Sequence, residues 1–221
     1  SAVRDKAHVL PRYPGSWHFP SSANPERTYT LLNREAPEFI RFVNPGDYLV
    51  ALDDSVVRGT TLKKSILKIL ARTKPAKIVV CSTAPQIRYP DCYGIDMSRM
   101  KEFIAFRAAI ALIKERKMEN LLDQVYESCV SQPYNSENFV KQVYAPFTDQ
   151  EISDKVAEIV TTPEIHAEVK VIFQTVDNLH KCIPNHLGDW YFTGDYPTTG
   201  GTRVVNRAFA NYMEGKVVRA Y

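Results

Sequence analysis

The sequence predicts an α/β fold: a partial parallel sheet with flanking helices, followed by a mainly helical C-terminal extension. Three observations carry this. Short runs at Tyr48–Leu52, Ile78–Cys81 and Val169–Phe173 have the length of strands, and the first is continuously apolar, as expected of a strand buried on both faces. The first two are joined by a segment with helical periodicity, which makes a βαβ unit. The third is preceded by a long stretch patterned for helices.

The elements follow in order. Residues 1–45 hold six of the fourteen prolines: Pro11, Pro14, Pro20, Pro25, Pro37 and Pro45. Proline removes a backbone donor and biases the preceding residue away from helix, so this segment reads as mostly irregular. After the first strand, Leu62, Ile66, Ile69 and Leu70 form one apolar stripe of a helix over 61–72, which Lys74-Pro75 ends. A helix over about 99–116 carries Phe103, Phe106, Ile110 and Ile113 on one face. Two or three more helices are predicted within 120–160, one of them opened by a capping box at Thr148 and Glu151. A helix over 175–183 follows the third strand. From His186 the chain reads as loop until a last helix at 203–213. Phe103, Phe106 and Phe173 are expected in the core. The expected division is an irregular segment 1–45, an α/β domain 46–183 with a helical insertion, and a C-terminal loop and helix 184–221.

Composition excludes several classes. Apolar residues make up 44% and charged residues 24%, ordinary for a globular chain and too apolar for disorder. No run approaches the roughly 20 apolar residues of a membrane span, and the first residues lack a signal-peptide core, so the chain is expected to be soluble and cytoplasmic. The net charge of +3 is no nucleic-acid signature. Lys63-Lys64 and Lys114–Lys117 fall on predicted helices and read as solvated faces. Cys81, Cys92, Cys129 and Cys182 contain no CxxC pair, so neither a zinc site nor a disulfide framework is expected. His186, Asp189 and Asp195 have the spacing of a metal set but lie on an irregular loop, where that role is not expected. His166 and His180 read as ordinary surface or core histidines.

The chemistry is concentrated in Leu49-Val50-Ala51-Leu52-Asp53-Asp54-Ser55-Val56-Val57-Arg58-Gly59-Thr60-Thr61. An apolar strand ends in two carboxylates. A short loop with one glycine and three hydroxyl residues then enters a helix. A helix N-terminus offers unpaired N–H groups and partial positive charge to a phosphate. Gly59 can take positive φ, and Ser55, Thr60 and Thr61 can donate without adding charge. Asp53 and Asp54 suit sugar hydroxyls or a hard cation such as Mg²⁺. Phosphate at one end and a diol at the other describe a phosphorylated ribose, held where open α/β sheets bind ligands. A simple capping role for the two aspartates explains a bare pair but not the whole pattern.

This segment resembles the phosphoribosylpyrophosphate (PRPP) loop of type I phosphoribosyltransferases. With SerThrAlaProGlnIleArgTyrPro at 82–90, TyrGlyIleAspMet at 93–97, Ile172-Phe173-Gln174 and Tyr191 to Thr198, the chain resembles the glutamine PRPP amidotransferase family, or amidophosphoribosyltransferases, over about 47–221. The resemblance implies a PRPP site at Asp53, Asp54, Ser55, Val56, Val57, Arg58, Gly59, Thr60 and Thr61, with Asp53 and Asp54 also taking Mg²⁺. It implies displacement of pyrophosphate from PRPP by glutamine-derived ammonia, the first step of de novo purine nucleotide synthesis. It also implies purine nucleotides as inhibitors and a homo-oligomer, without nucleic acid or membrane.

The departures are equally specific. The family opens its glutaminase half with a nucleophilic Cys, whereas this sequence begins at Ser1. Residues 1–45 match neither the family's pyrophosphate loop nor its flexible basic loop, and its sheet needs strands before 48–52. The chain is therefore expected to be the PRPP-binding portion of a longer enzyme or a divergent copy, with glutaminase activity supplied separately. The cluster cysteines of some family members are not matched, Cys92 being offset by one residue, so no iron–sulfur cluster is expected. The alternatives are another purine or pyrimidine phosphoribosyltransferase, or a non-catalytic nucleotide-binding fragment. Arg58 faces either phosphate or water, Arg88 either a ligand at the sheet edge or an ion pair, and Asp96 caps the following helix.

Overall fold

The computed structural model describes residues 44–91, 97–185 and 188–220. Residues 1–43 of the irregular segment read over 1–45, the capping role of Asp96, the offset of Cys92 and the position of His186 all lie outside the described residues. Three parallel strands form one sheet in the order β1 (Tyr48–Asp53), β2 (Lys77–Ser82), β3 (Glu168–Phe173). The register is continuous across it: Tyr48 pairs with Lys77 and Lys77 with Glu168, through to Asp53, Ser82 and Phe173. The parallel βαβ unit read from the sequence is present.

The two faces of the sheet differ. Ile78, Val80 and Val171 point into the core, whereas Tyr48, Val50 and Leu52 of β1 are 73%, 65% and 75% exposed. The apolar run of β1 predicted burial on both faces. Among the described residues it is an edge strand with only Leu49 of its apolar residues buried. The apolar composition alone cannot say whether a covering layer exists.

The helices bury residues in that core, except those at Val176–Cys182 and Trp190–Thr193, which have no fully buried residue. The first, α1, joins β1 to β2. Its start, Leu62–Ile66, is a π-type turn, and it continues as Leu67–Ala71. The Leu67 N–H bonds to the Leu62 carbonyl, five residues back. That extra residue in the turn rotates Leu67 into the core, fully buried, and leaves Ile66 only half-buried. The regular 3.6-residue stripe therefore omitted the most buried side chain of this helix.

A helix over 99–116 was expected. Instead a 3₁₀ turn, Met100–Glu102, precedes α2 (Ile104–Glu115), with Phe103 in extended conformation between them. Phe103 and Phe106 are fully buried and Phe173 packs at the core margin. Next come α3 (Asn120–Ser131), α4 (Lys141–Tyr144) and α5 (Asp149–Val160). Helix α5 packs on both α2 and β3. Lys155 of α5 bonds Glu115 of α2 at 2.7 Å and also pairs with Glu158.

The capping box of α5 is formed. The Glu151 N–H donates to Thr148 Oγ1 at 3.2 Å, and the Thr148 N–H donates to Glu151 Oε2 at 2.8 Å. The Thr148 N–H, then Arg116 and the Thr148 hydroxyl, hold the Glu151 carboxyl down at about 2, below its ordinary 4.5. A depressed carboxyl contributes stability that is complete above its unfolded value and is lost as pH falls through the folded one. The cap should thus weaken between pH 4.5 and about 2. Thr148→Ala is expected to lower stability by about 0.5–2 kcal/mol in urea unfolding at neutral pH. An unchanged midpoint would show that the cap does not support α5.

After β3, α6 (Val176–Cys182) precedes a short helix, α7 (Trp190–Thr193), where the sequence predicted only loop. The last helix, α8 (Thr199–Met213), starts earlier than the expected residue 203. Thr198 caps it by accepting from the Gly201 N–H at 3.1 Å. Gly200 and Gly201 are poor helix formers, which hid this turn. Gly201 is required by packing, since a Cβ there would lie 2.7 Å from the Tyr196 ring. Helix α8 packs on α3 and sends Phe209 against Phe106. His166 is exposed on the loop before β3 rather than on a helix.

Candidate functional site

The carboxyl end of β1 delivers Asp53 and Asp54 side by side. Alternation along the strand turns half-buried Asp53 toward the core side, while Asp54 is exposed. Each carboxylate accepts from the next residue in the chain: the Asp54 N–H donates to Asp53 at 3.0 Å, and the Ser55 N–H to Asp54 at 2.8 Å. Burial, together with the Asp54 carboxylate, pushes the Asp53 carboxyl up to about 6. Two oxygen-rich groups are thus held side by side.

The backbone under the pair is fixed by β2. Thr83 and Ala84 donate their N–H groups to the carbonyls of Asp53 and Asp54 at 2.9 and 3.0 Å, and the Thr83 hydroxyl adds a bond to the Asp54 carbonyl at 3.1 Å. The motif did not point to Thr83 and Ala84. The signal was the parallel register, which sets the residues after Ser82 opposite those after Asp53.

The loop beyond is anchored at each step. Val56 is buried, and the Val57 carbonyl accepts from the Ile104 N–H at 2.8 Å. Arg58 is held by Glu102, with Nη2 at 3.0 Å and Nε at 3.1 Å, while the Arg58 carbonyl accepts from Arg107 at 3.4 Å. Glu102 was not identified from the sequence, being 44 residues away with no motif of its own. Gly59 has φ +67°, and its carbonyl accepts from the Lys63 N–H at 2.9 Å to start the helical winding. Thr60 and Thr61 are exposed at that start and Ser55 is half-buried. Gly59→Ala is expected to destabilise the chain by about 1–2 kcal/mol, the cost of a left-handed residue with a side chain. The added Cβ would also press on Ile104 and Val160 at 3.2 Å. An unchanged denaturation midpoint would refute a requirement for glycine.

The other candidates are placed elsewhere. Arg88 does not reach this loop: it bonds Gln86 at 2.7 Å and pairs with Asp149. It lines a cavity of about 250 Å³ at the ends of β2 and β3, with Gln86, Gln174 and Phe192. Gln86, buried, spans to the Asp149 carbonyl and Ser153 at 2.7 and 2.9 Å, so this group ties the loop after β2 to α5. Asp189 bonds His180 at 3.1 Å and Asp195 pairs with Lys141, so both carboxylates are held by separate bases. No group of three metal-ligating side chains occurs among the described residues. No described helix is long and apolar enough to cross a membrane.

A three-stranded parallel sheet flanked by helices, with an acidic pair at the end of β1 and a glycine-bent loop entering α1, is consistent in class with a partial phosphoribosyltransferase-like fold. Comparison with curated proteins gives the particular likeness. The chain is 49% identical over 61 residues to an amidophosphoribosyltransferase of Pseudomonas aeruginosa, covering 27% of this chain and 12% of that protein. It is 31% identical over 113 residues to that of Lachancea kluyveri and 34% identical over 116 residues to that of Saccharomyces cerevisiae. Each of these alignments covers 47% of this chain and 22% of the relative. The family resemblance read from the motifs is thereby borne out, and the chain spans less than a quarter of the length of these relatives. No family model matches.

Proposed function

We propose that the chain is the PRPP-binding portion of an amidophosphoribosyltransferase, with the site at Asp53 through Thr61. The observation that carries this is the acidic pair at the end of β1 joined by the Gly59 turn to α1. Asp53 and Asp54 accept from the ribose hydroxyls. The hydroxyls of Ser55, Thr60 and Thr61 and the N–H groups of Thr60 and Thr61 donate to the 5′-phosphate at the start of α1. Val56 and Val57 are anchors rather than ligands, and Arg58 through Glu102 keeps the loop in place. The donor set fits Mg²⁺, which takes one or two carboxylates and completes its shell with substrate oxygens. When bound, the ion neutralises charge on the departing pyrophosphate. The residues of the chain hold C1 of the ribose in position for the incoming nitrogen, and their contribution is positioning.

Ammonia, delivered from glutamine by a separate glutaminase region, is the proposed acceptor, which places the reaction at the first step of purine nucleotide synthesis. A cytoplasmic homo-oligomer inhibited by purine nucleotides belongs to the same reading. So does the division into a phosphoribosyltransferase-like domain at 46–183 and a C-terminal loop and helix at 184–221.

Thermal unfolding with and without PRPP and Mg²⁺ tests the site. At 100 times its dissociation constant the ligand is expected to add about 2.7 kcal/mol. No shift at saturating PRPP would overturn the reading. A shift followed by PRPP consumption with free bases, and none with ammonia, would redirect it to a base phosphoribosyltransferase.

A further inference from the structure

The last four carbonyls of a helix have no partner within it, and that end carries partial negative charge. Helix α5 has no basic residue in its own last turn. A cation comes from another element instead. Lys63, in the first turn of α1, donates from Nζ to the Ile159 carbonyl at 2.8 Å. Further along α1, Lys68 pairs at 2.8 Å with Glu164, in the connection from α5 to β3. In a regular α-helix, side chains five residues apart diverge by about 140°. The π-type turn Leu62–Ile66 absorbs an extra residue, and both lysines reach the end of α5 and the connection that follows it. The expected solvated face therefore describes exposed Lys64 but not half-buried Lys63.

The same residue closes the glycine turn. The Lys63 N–H donates to the Gly59 carbonyl at 2.9 Å. A Cβ on Gly59 would lie 3.2 Å from Val160, the neighbour of Ile159, so the loop and the end of α5 approach each other closely here. The backbone of Lys63 thus holds the loop while its ammonium holds α5. We infer that Lys63 is a positioning residue for the phosphate end of the site. Its ammonium, docked on α5, fixes the first turn of α1, and with it Thr60 and Thr61, where these donate to the phosphate. Because the ammonium is engaged by a carbonyl, it acts through the turn and not as a ligand. The inference rests on the reading of Asp53 through Thr61 as a PRPP site.

The first test uses the unsubstituted full chain without ligand. Acetylation by N-hydroxysuccinimidyl acetate, mapped by tandem mass spectrometry, is expected to modify Lys63 about tenfold or more slower than Lys64. The second uses Lys63→Met, which removes the ammonium and keeps the apolar stem. In the ligand-free variant the Lys63 and Leu67 amides, bonded to Gly59 and Leu62, are expected to exchange hydrogen about tenfold or more faster, while β2 amides keep their native rates. PRPP with Mg²⁺ should bind about tenfold more weakly to this variant, and Lys63→Arg should restore both readouts. Acetylation of Lys63 as fast as Lys64, or unchanged exchange at Lys63 and Leu67, would overturn the inference. Weaker PRPP binding with unchanged exchange would make Lys63 a direct phosphate ligand instead. Failure of the native chain to bind PRPP would sink the site reading alone, because labelling and exchange are read without ligand.

Discussion

The double substitution Asp53→Asn/Asp54→Asn is expected to weaken binding of PRPP with Mg²⁺ by about a hundredfold or more. Each carboxylate is proposed to make a charged hydrogen bond or ion contact, worth about 1.5–3 kcal/mol. Losing two of them gives a factor of roughly 10²–10⁴, at about 1.4 kcal/mol per tenfold. The free protein should keep its stability. Asparagine can still accept the bonds that the Asp54 and Ser55 N–H groups donate, at 3.0 and 2.8 Å, and it removes the repulsion between adjacent carboxylates. The readout is isothermal titration beside the melting temperature of the ligand-free protein. If the variant binds as tightly as the native chain, the acidic pair is a structural turn and the proposed site is wrong.

Phe106→Ala is expected to cost about 3–5 kcal/mol, the range for removing a buried phenyl ring. Phe106 is fully buried where α2 meets α8. Its ring meets Phe209 edge-on at 6.2 Å and Tyr212 at 4.8 Å. The deletion leaves a cavity beneath both partners, and α8 loses its anchor. A chain of this size has about 5–15 kcal/mol of stability, so the variant should unfold at much lower denaturant and release α8 first. Hydrogen exchange of the α8 amides against those of β2 separates that order. A loss below 1 kcal/mol would mean that the C-terminal helix is not held through this ring.

The site was more legible in the sequence than the fold around it. Two aspartates after an apolar run, then a glycine and three hydroxyl residues, are a local pattern in which each residue type has a chemical reason. The structure builds that segment as a continuous turn from β1 into α1. The capping box at Thr148 and Glu151 was legible for the same reason, since its two bonds join residues three apart. What escaped depends on distant partners. Glu102 clamps Arg58 from a different element, and no spacing announces it. The exposure of Val50 and Leu52 depends on what lies over the sheet, which an apolar run does not record. The π-type turn altered the phase of α1, and the paired glycines concealed the start of α8.

The clamp on the loop bears on how fast and with what heat a ligand binds. Val57 is tied to Ile104, Arg58 to Glu102 and Gly59 to Lys63 by bonds within the chain itself. A segment already fixed has little conformational entropy left to lose. Association should therefore proceed in one step, without a slow ordering phase, and with a small change in heat capacity. Loosening the clamp would convert that encounter into one limited by how often the loop happens to be in shape.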